Sequence, residues 1–345
     1  MIERVLAIET SCDDTSVAIV DRQGWVHSVV SASQDLEHEL YGGIVPEIAA
    51  RNHSIALIPL IEEAFKKAQM NWTDVQGIAV TSRPGLVGAL IVGLVTAKSI
   101  AQAKNLPFLG VNHLEGHLLA PFLRDSQYSP PEDFGYPYVG LAISGGHTSL
   151  YQIKGLGEYR VLGMTKDDAA GECFDKFAKM AGLGFPGGVR VDQLAKSGDP
   201  TAYEFPRSMI HDETFDMSFS GLKSAGQRMI EQLGPENVQK NLPNLCASFQ
   251  EAIVDVLIAK LERAAKVFRS QRVILTGGVS ANSRLRARAE DWANKKKYTL
   301  VIPPLRYCTD NAAMIGYAGV LRMARGEFSG LDLGPSPQSF GTDFQ

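Results

Sequence analysis

Two histidines, His113 and His117, lie four positions apart in the sequence HLEGHLLAP. Residues of an α-helix advance by about 100° each, so a helix over this segment places both imidazoles on one face, within reach of a single cation. Two unrelated histidines, one capping the helix and one packed in the core, would give the same spacing. Glu115 points to the other side of such a helix, which argues against the H-E-x-x-H arrangement of a metallopeptidase.

A third candidate ligand is Asp310, in the sequence CTDN, between a strand-like run and an apolar helix predicted over residues 312–321. Two histidines and one carboxylate leave coordination positions open, and this donor set suits iron(II) and also fits zinc. The alternative is that Asp310 only caps the following helix. The sequence therefore predicts a divalent metal site at His113, His117 and Asp310, with the capping alternative still open.

Glycine-rich turns form a second group of candidate binding elements. They are SGGH at 144–147, PGG at 186–188 and TGGVSAN at 276–282. Backbone N–H groups in such turns can bind an anion, and the third turn precedes a helix whose N-terminus favours phosphate. With the polar side chains of Ser144, Asp192 and Asn282, the turns favour a nucleotide pocket, although ordinary loop chemistry accounts for one of them. No Walker or dinucleotide-binding glycine motif occurs in the sequence.

Two charged segments complete the polar motifs. The sequence ETSCDD at 9–14 follows a predicted strand, and its carboxylates are candidates for magnesium binding or for a solvated turn. Basic residues cluster at Arg284, Arg286 and Arg288 and at the lysine run 295–297, and Arg284 and Arg288 share a helix face. This cluster is a candidate for contact with an RNA backbone, and a solvated helix face is the alternative.

The elements that must position these motifs follow from short β-rich runs and helical periodicity. Three strands are predicted within residues 1–33, and three more around a tight polar loop between residues 139 and 164. Strand and helix alternate after each set, so the sequence predicts two lobes of the same α/β architecture with mixed sheets. Helices are predicted at 85–103, 169–181 and 245–268. The first, interrupted by glycine and lysine, indicates a buried helix and not a membrane span.

The composition limits the class of protein. The chain has 345 residues, 45% of them hydrophobic, with 34 Lys and Arg against 38 Asp and Glu, a net charge of −4. Such a chain is long and apolar enough to form two domains, each with a hydrophobic core of ordinary size. Its composition excludes a disordered or a collagen-like chain. Four cysteines without a Cys-x-x-Cys pair indicate no zinc ribbon or disulfide framework and predict a cytoplasmic location. The charge predicts that the chain does not hold nucleic acid by its global field alone.

Ten motifs follow one another along the chain: ETSCDDTS, YGGIVPEIAARNH, PGLVGAL, HLEGHLLAP, SGGHT, DDAAGECFDK, FPGG, SFSGLKSA, GGVSAN and CTDNAAMIG. In this order they resemble the TsaD family of tRNA threonylcarbamoyladenosine transferases, once described as O-sialoglycoprotein endopeptidases. The resemblance extends from residue 4 to residue 320. It implies the duplicated, two-lobed fold of actin, sugar kinases and heat-shock ATPases, which is ribonuclease H-like.

The resemblance implies transfer of a threonylcarbamoyl group from threonylcarbamoyl-AMP to the exocyclic amine of the adenosine beside the anticodon, at position 37, in tRNAs reading codons that begin with adenine. It implies that His113, His117 and Asp310 hold one divalent metal, with iron(II) expected and zinc as the alternative. The residues that it implies for adenylate binding are Ala142, Ile143, Ser144, Gly145, Gly146, Asp175, Gly188, Asp192 and Asn282. ATP or ADP is an alternative occupant of that site.

The expected domains are an N-terminal lobe with the metal-binding helix at 1–123, joined by a C-terminal segment at about 312–345, and a nucleotide-binding lobe at 138–311. The proline-rich segment 124–137 is the expected linker. The resemblance implies tRNA, a TsaB-like paralogue and a TsaE-like ATPase as partners. It also implies that a TsaC-type enzyme supplies the adenylate and that the chain has no membrane partner. An ATPase or kinase of the same fold, or a disfavoured metallopeptidase, is the alternative function.

The sequence departs from the family pattern at two places. Arg83 stands where the family usually has a small residue before Pro-Gly-Leu, and Val189 and Arg190 replace the usual proline after FPGG. The conformation of these two loops is therefore not implied by the resemblance.

Overall fold

A computed structural model of the chain describes residues 2–338, which divide into two compact units. The first unit contains residues 2–132 and 303–338, and the second contains residues 133–302. Part of the expected linker, 124–132, and the segment 303–311 thus fall in the first unit. Residue 1 and the end of the expected C-terminal segment, 339–345, lie outside the described residues.

Strands and helices alternate along both units. The strands are β1 (Arg4–Glu9), β2 (Thr15–Asp21), β3 (Val26–Ala32), β4 (Gly77–Arg83), β5 (Phe108–Asn112), β6 (Tyr138–Ile143), β7 (Thr148–Gly155), β8 (Glu158–Met164), β9 (Arg272–Thr276) and β10 (Thr299–Val301). The α-helices are α1 (Asp35–Glu39), α2 (Pro46–Ala68), α3 (Val87–Lys104), α4 (His113–Leu119), α5 (Ala170–Met180), α6 (Gly187–Ala195), α7 (Ser220–Val267), α8 (Ser283–Lys296), α9 (Leu305–Cys308) and α10 (Ala312–Ala324).

The first unit is built on a five-stranded mixed sheet with the order β3-β2-β1-β4-β5. Strands β1, β2 and β3 form an antiparallel meander, whereas β4 pairs in parallel with both β1 and β5. The central strand β1 is buried from Val5 to Glu9, which is typical of a strand covered by helices on both faces. Parallel strands end at the same edge of a sheet, and the candidate histidines follow β5 at that edge.

Helices cover both faces of this first sheet. Leu6 and Ile8 of β1 belong to an apolar cluster that also contains residues of α2 and α3. Ala7, which lies between them in the strand, faces Gly316 of α10. Successive side chains of a strand point to opposite faces, so α2 and α3 lie on one face and α10 lies on the other.

A glycine lets α10 approach the sheet closely. A Cβ atom added at Gly319 would lie 2.4 Å from the Cβ of Ala79 in β4, whereas carbon atoms in contact are normally about 3.5–4.0 Å apart. Only glycine fits at this position without a shift of the helix. Because α10 begins at Ala312, its packing also positions Asp310, two residues before the helix.

The second unit repeats this arrangement. Its five-stranded sheet has the order β10-β9-β6-β7-β8, with β6, β7 and β8 antiparallel and β9 parallel to both β6 and β10. Within each unit the third, second, first, fourth and fifth strands are therefore neighbours in that order. The predicted α/β class with two mixed sheets is confirmed.

Two helices differ from the sequence prediction. The helix predicted at 245–268 is the second half of α7, which begins at Ser220 and is interrupted at Gly234, where φ is 71°. The helix predicted as buried at 85–103 is α3, and its residues Val87, Ile91 and Val95 are 44%, 44% and 57% exposed. That burial prediction was wrong because one stripe of α3 has no covering element in the described residues.

Among residues 2–338, two helices are long and apolar enough to cross a membrane by length and composition alone. They are Val87–Lys104 and Ser220–Val267. In the longer helix, 78% of the apolar window is buried inside the structure, against 33% in the shorter one. Core helices of proteins outside membranes meet the same criterion, so the finding is weak evidence for a membrane span.

Candidate functional site

The two candidate histidines lie on a short helix that follows the edge of the first sheet. Helix α4 begins directly after β5, and the side chain of Asn112 caps it by accepting a hydrogen bond from the N–H of Leu114. His113 and His117 lie one turn apart with their rings edge-on, 4.7 Å between centroids. Because Asn112 supplies the cap, the alternative in which one histidine caps the helix is wrong.

Asp310 completes a cluster with these histidines. Its Oδ1 atom lies 3.3 Å from Nε2 of His113 and 3.1 Å from Nε2 of His117. The three candidate ligand atoms lie within 4.8 Å of one another. The following residue, Asn311, caps α10 by accepting from the N–H of Met314. The alternative in which Asp310 serves only as that cap is therefore wrong.

The electrostatics of the cluster favour a bound cation. Burial raises the pKa of Asp310, but the charge of His113 and hydrogen bonds from both histidines outweigh burial and hold that pKa well below its usual value. Burial lowers the pKa of His113, but the carboxylates of Asp310 and Glu9 outweigh it and raise that pKa well above its usual value. The two carboxylates thus favour positive charge at this position, which a divalent cation bound by this donor set would supply.

Glu9 is a residue of this cluster that the sequence did not assign. It ends β1, its side chain is fully buried, and its Oε2 atom lies 3.1 Å from Nδ1 of His113. Burial raises the pKa of Glu9, but the charge of His113 together with hydrogen bonds from His113 and Ser11 outweighs burial and lowers that pKa. The solvated-turn alternative is thus wrong for Glu9. The sequence feature that could have predicted a role for Glu9 is a carboxylate at the carboxyl end of a buried strand.

The rest of the acidic segment also contains partly buried carboxylates. Asp13 and Asp14 are neither fully buried nor exposed. Burial, followed by the charge of Asp13, raises the pKa of Asp14 to about 7. The charge of Asp310 contributes in the same direction. A bound cation would offset this repulsion between carboxylates, so magnesium binding by this segment stays a prediction.

Glu115 lies apart from the cluster, as the helical geometry predicts. Its carboxylate is fully buried and forms an ion pair of 3.1 Å with Nη1 of Arg322 in α10. This pair links α4 to α10. A carboxylate held in that way cannot serve as the general base of a metallopeptidase at His113 and His117.

The first glycine-rich turn of the second unit joins β6 to β7. Ala142 and Ile143 are buried in β6, so they can offer only backbone atoms to a ligand. Ser144 accepts a hydrogen bond at its Oγ from the N–H of His147, which closes the turn. Cβ atoms added at Gly145 and Gly146 would meet no other atom within 4 Å. The turn therefore has open space beside both glycines.

The second turn is held by a carboxylate of the same unit. Oδ1 of Asp175 in α5 accepts hydrogen bonds from the N–H groups of Gly187 and Gly188, at 2.8 and 3.2 Å. These two donors are engaged within the chain. Asp175 thus caps the start of α6, and anion binding at this turn stays a prediction.

The third turn ends at Asn282, and Asp192 of α6 contacts the residue that follows it. Oδ1 of Asp192 accepts from both the N–H and the hydroxyl of Ser283, and Asn282 accepts from the N–H of Leu285. The Nδ2 group of Asn282 donates to Gln250 at 2.6 Å. Asp192 and Asn282 therefore meet at the start of α8, where they occupy donors that were expected to bind phosphate.

Three cations of the basic cluster, Arg284, Arg288 and Lys295, form ion pairs with carboxylates of the chain. Arg284 donates two hydrogen bonds to Glu251, and Arg288 pairs with Glu251 and with Asp255 at 3.0 Å. Lys295 pairs with Asp291 at 2.6 Å. The candidate RNA contact at these residues is weakened, because the carboxylates of α7 already satisfy the guanidinium groups.

One family model and two similar proteins have the same name. A family model described as TsaD, tRNA N6-adenosine threonylcarbamoyltransferase, matches residues 26–317. A protein of that name from Bdellovibrio bacteriovorus is 87% identical over 345 residues, which are 100% of both chains. Another, from Anaeromyxobacter dehalogenans strain 2CP-C, is 50% identical over 337 residues, covering 97% of this chain and 98% of the relative. This chain belongs to the TsaD family.

Membership of the TsaD family confirms the prediction made from the ten motifs, including the transferase class. It implies tRNA as a substrate, and the candidate metal cluster is present in the structure.

Solved structures share the fold of this TsaD family member at low identity. Component A of the Acidaminococcus fermentans (R)-2-hydroxyglutaryl-CoA dehydratase has a TM-score of 0.55 and 12% identity, covering 93% of this chain and 99% of that one. Full-length HypF has a TM-score of 0.61 and 14% identity, covering 95% of this chain and 47% of that one. At such identities the likeness shows the fold alone, and the predicted actin and ATPase-like fold class is confirmed.

The two departures from the TsaD family pattern lie at element ends. Arg83 is the last residue of β4, next to a register shift between β4 and β5. Arg190 donates from Nη2 to the carbonyl of Phe185 at 3.2 Å, which holds the loop before α6. Nothing in the structure explains Val189, which is exposed.

Proposed function

We propose that this chain transfers the threonylcarbamoyl group of threonylcarbamoyl-AMP to the exocyclic amine of adenosine 37, beside the anticodon, in tRNAs reading codons that begin with adenine. Membership of the TsaD family carries this proposal. The reaction forms a bond between the amine nitrogen and the threonylcarbamoyl carbonyl carbon. It breaks the bond between that carbon and the AMP oxygen, and it releases a proton and AMP.

The metal ligands in this proposal are His113, His117 and Asp310, with iron(II) as the expected ion and zinc as the alternative. The convergence of both Nε2 atoms on one carboxylate oxygen supports a single-ion site, since two imidazoles and a carboxylate suit either metal. The ion would supply Lewis-acid polarisation and a template for the threonylcarbamoyl group. The buried helix α4 holds both imidazoles in place and keeps water from that side.

The chain itself needs to orient an already activated carbonyl, because AMP is a good leaving group. No covalent intermediate on the enzyme is required. Burial raises the pKa of Cys173 far above its usual value and that of Cys12 as well, which keeps both thiols protonated at neutral pH. This supports a role for the cysteines other than nucleophilic attack.

The AMP part is proposed to bind in the second unit, with ATP or ADP as alternative occupants. The proposed residues are Ala142, Ile143, Ser144, Gly145, Gly146, Asp175, Gly188, Asp192 and Asn282. The open space beside Gly145 and Gly146 supports close approach of a ligand to that turn. Asp175, Asp192 and Asn282 are proposed to act by shaping the neighbouring turns, because each already accepts hydrogen bonds from backbone N–H groups.

The proposed partners are tRNA, a TsaB-like paralogue and a TsaE-like ATPase, with a TsaC-type enzyme supplying the adenylate. We propose a cytoplasmic location, because the substrate is tRNA and the four cysteines are free. We further propose that the first unit, with its C-terminal segment, is the metal-binding domain and that the second unit is the nucleotide-binding domain.

An exposed apolar stripe supports docking of the paralogue on the first unit. Val87, Ile91 and Val95 lie on successive turns of α3, and Ile55 and Ile58 lie on the neighbouring helix α2. Apolar patches of this kind mark interaction surfaces. We expect Ile91→Glu to abolish co-purification with the TsaB-like subunit, whereas Val267→Glu, at an exposed position at the end of α7, should not.

The transfer assay tests the proposed function directly. The metal-loaded chain, with its partner subunits, is incubated with threonylcarbamoyl-AMP and unmodified tRNA, and the nucleosides are analysed by mass spectrometry. We expect threonylcarbamoyladenosine to form, and no steady ATP turnover by the isolated chain. An ATPase or kinase of this fold would instead turn over ATP without tRNA, and a peptidase would cleave peptides in a chelator-sensitive manner.

A further inference from the structure

Glu9 is a fully buried carboxylate with polar contacts on both of its oxygen atoms. Oε1 accepts a hydrogen bond from the N–H of Ser11 at 2.5 Å. Oε2 accepts from the hydroxyl of Thr81 in β4, and it lies 3.1 Å from Nδ1 of His113. An isolated carboxylate is costly to bury, so contacts of this number and kind are needed to retain it in the core.

The contact with Glu9 sets the orientation of one imidazole ring. When the neutral ring uses its Nε2 lone pair for a metal ion beside Asp310, its proton lies on Nδ1, where the carboxylate of Glu9 accepts it. His117 differs, because its Nδ1 is buried and has no hydrogen-bond partner within residues 2–338. Within residues 2–338, His113 therefore has a carboxylate at its Nδ1 atom, whereas His117 does not.

We infer that Glu9 is a positioning residue that fixes the tautomer and the ring orientation of His113 for metal binding. The inference rests on the metal site of the proposed function. A carboxylate on the far nitrogen of a ligating imidazole raises its basicity, and loss of such a partner typically lowers metal affinity by about 10–100-fold. Ser11 is the competing candidate, since its Oγ lies 3.2 Å from the same nitrogen.

The test compares metal affinity in two variants that each remove one buried carboxylate charge. Glu9→Gln keeps the volume of the side chain but removes the charge that faces His113. Glu115→Gln removes an equally buried charge on α4, whose partner is Arg322. Affinity for Co²⁺ and Zn²⁺ is measured on the full chain by competition with a chelator, and unfolding is measured with and without metal. We expect about a 10–100-fold loss for Glu9→Gln and less than about a threefold change for Glu115→Gln.

Two further measurements keep the inference falsifiable if Glu9→Gln fails to fold. Ser11→Ala should change the affinity by less than about threefold, and a loss of about 10–100-fold would assign the role to Ser11 and overturn the inference. In the Co²⁺-loaded wild-type chain, we expect one slowly exchanging, paramagnetically shifted imidazole N–H signal, from His113. Rapid exchange of both imidazole protons would overturn the inference.

The outcomes distinguish this inference from the proposed function. If Glu9→Gln binds metal as tightly as the wild type and loses only stability, Glu9 is structural and the inference fails alone. If the wild type and His117→Ala bind metal equally, the proposed site itself is wrong. If Glu9→Gln weakens metal binding but the loaded wild type transfers nothing to tRNA, the inference stands and the proposed reaction fails.

Discussion

Oδ1 of Asp310 lies 3.1 Å from Nε2 of His117, although 193 positions separate the two residues in the sequence. The histidine follows β5 on α4, and the aspartate precedes α10, so the contact depends on how α10 packs against the first sheet. The donor set for a metal ion is therefore a property of the folded first unit and not of either segment alone.

The close approach of α10 to β4 predicts that a methyl group added at Gly319 destabilises the fold. Gly319→Ala places a Cβ atom 2.4 Å from that of Ala79, and such overpacking typically costs about 1–3 kcal/mol. Alanine would regain about 1 kcal/mol in helix propensity, which leaves a net loss of up to about 2 kcal/mol. We also expect weaker metal binding, because Asp310 shifts with α10. Urea unfolding and chelator competition measure the two effects.

A helical glycine with room around it provides the control. A Cβ atom added at Gly88 in α3 would lie 3.5 Å from the Cβ of Ala50, an ordinary contact. Gly88→Ala should therefore be neutral or stabilising, by up to about 1 kcal/mol. A Gly319→Ala variant that is as stable as Gly88→Ala would contradict the packing argument.

The open turn after β6 predicts a loss of ligand affinity without a loss of stability. A Cβ atom at Gly146 meets nothing in the chain, so Gly146→Ala should unfold at the wild-type temperature. If AMP approaches this turn, the added methyl group should weaken binding of a non-hydrolysable adenylate analogue by at least about tenfold, as calorimetry can measure. Gly135→Ala, equally unobstructed, is the control. Unchanged affinity in Gly146→Ala would exclude the turn from the site.

Asp167 predicts a specific pH dependence of stability. Partial burial raises its pKa, but hydrogen bonds from Ser218, Phe219 and Ser220 outweigh burial and lower it from the usual 3.8. A lowered pKa stabilises the fold above the unfolded value and loses that contribution as the pH falls through the folded value. Asp167→Asn should therefore be less stable than the wild type at pH 7, with a difference that shrinks below pH 4. A stability difference that stays constant from pH 7 to pH 3 would show that the ionised carboxylate of Asp167 is not its cause.

The charge distribution predicts weak binding of tRNA by the chain alone. The net charge is −4, and Arg284 and Arg288 are paired with carboxylates of α7. Phosphate contacts dominate affinity for nucleic acids, so partner subunits should tighten binding substantially. Filter binding at physiological salt tests this, and nanomolar affinity of the isolated chain would be the contrary result.

The sequence predicted those parts of the fold and site that local patterns encode. The spacing of His113 and His117 placed both on one helix face, and the repeated β-rich runs predicted two related sheets. Helix α2 was not predicted because its N-cap, Val45, supplies no capping side chain and Pro59 interrupts its interior. Contacts such as Glu9 with His113, 104 positions apart, depend on tertiary packing, which no local pattern encodes.

The central claim is that transfer to tRNA requires the metal held by His113, His117 and Asp310. Its most direct test is single-turnover transfer from preformed threonylcarbamoyl-AMP, with partner subunits present, as a function of bound metal. We compare the wild type with His117→Ala and with His27→Ala, whose histidine pairs with Asp21 away from the cluster. We predict product in proportion to bound metal for the wild type and His27→Ala, and none for His117→Ala. Full transfer by metal-free His117→Ala would contradict the account.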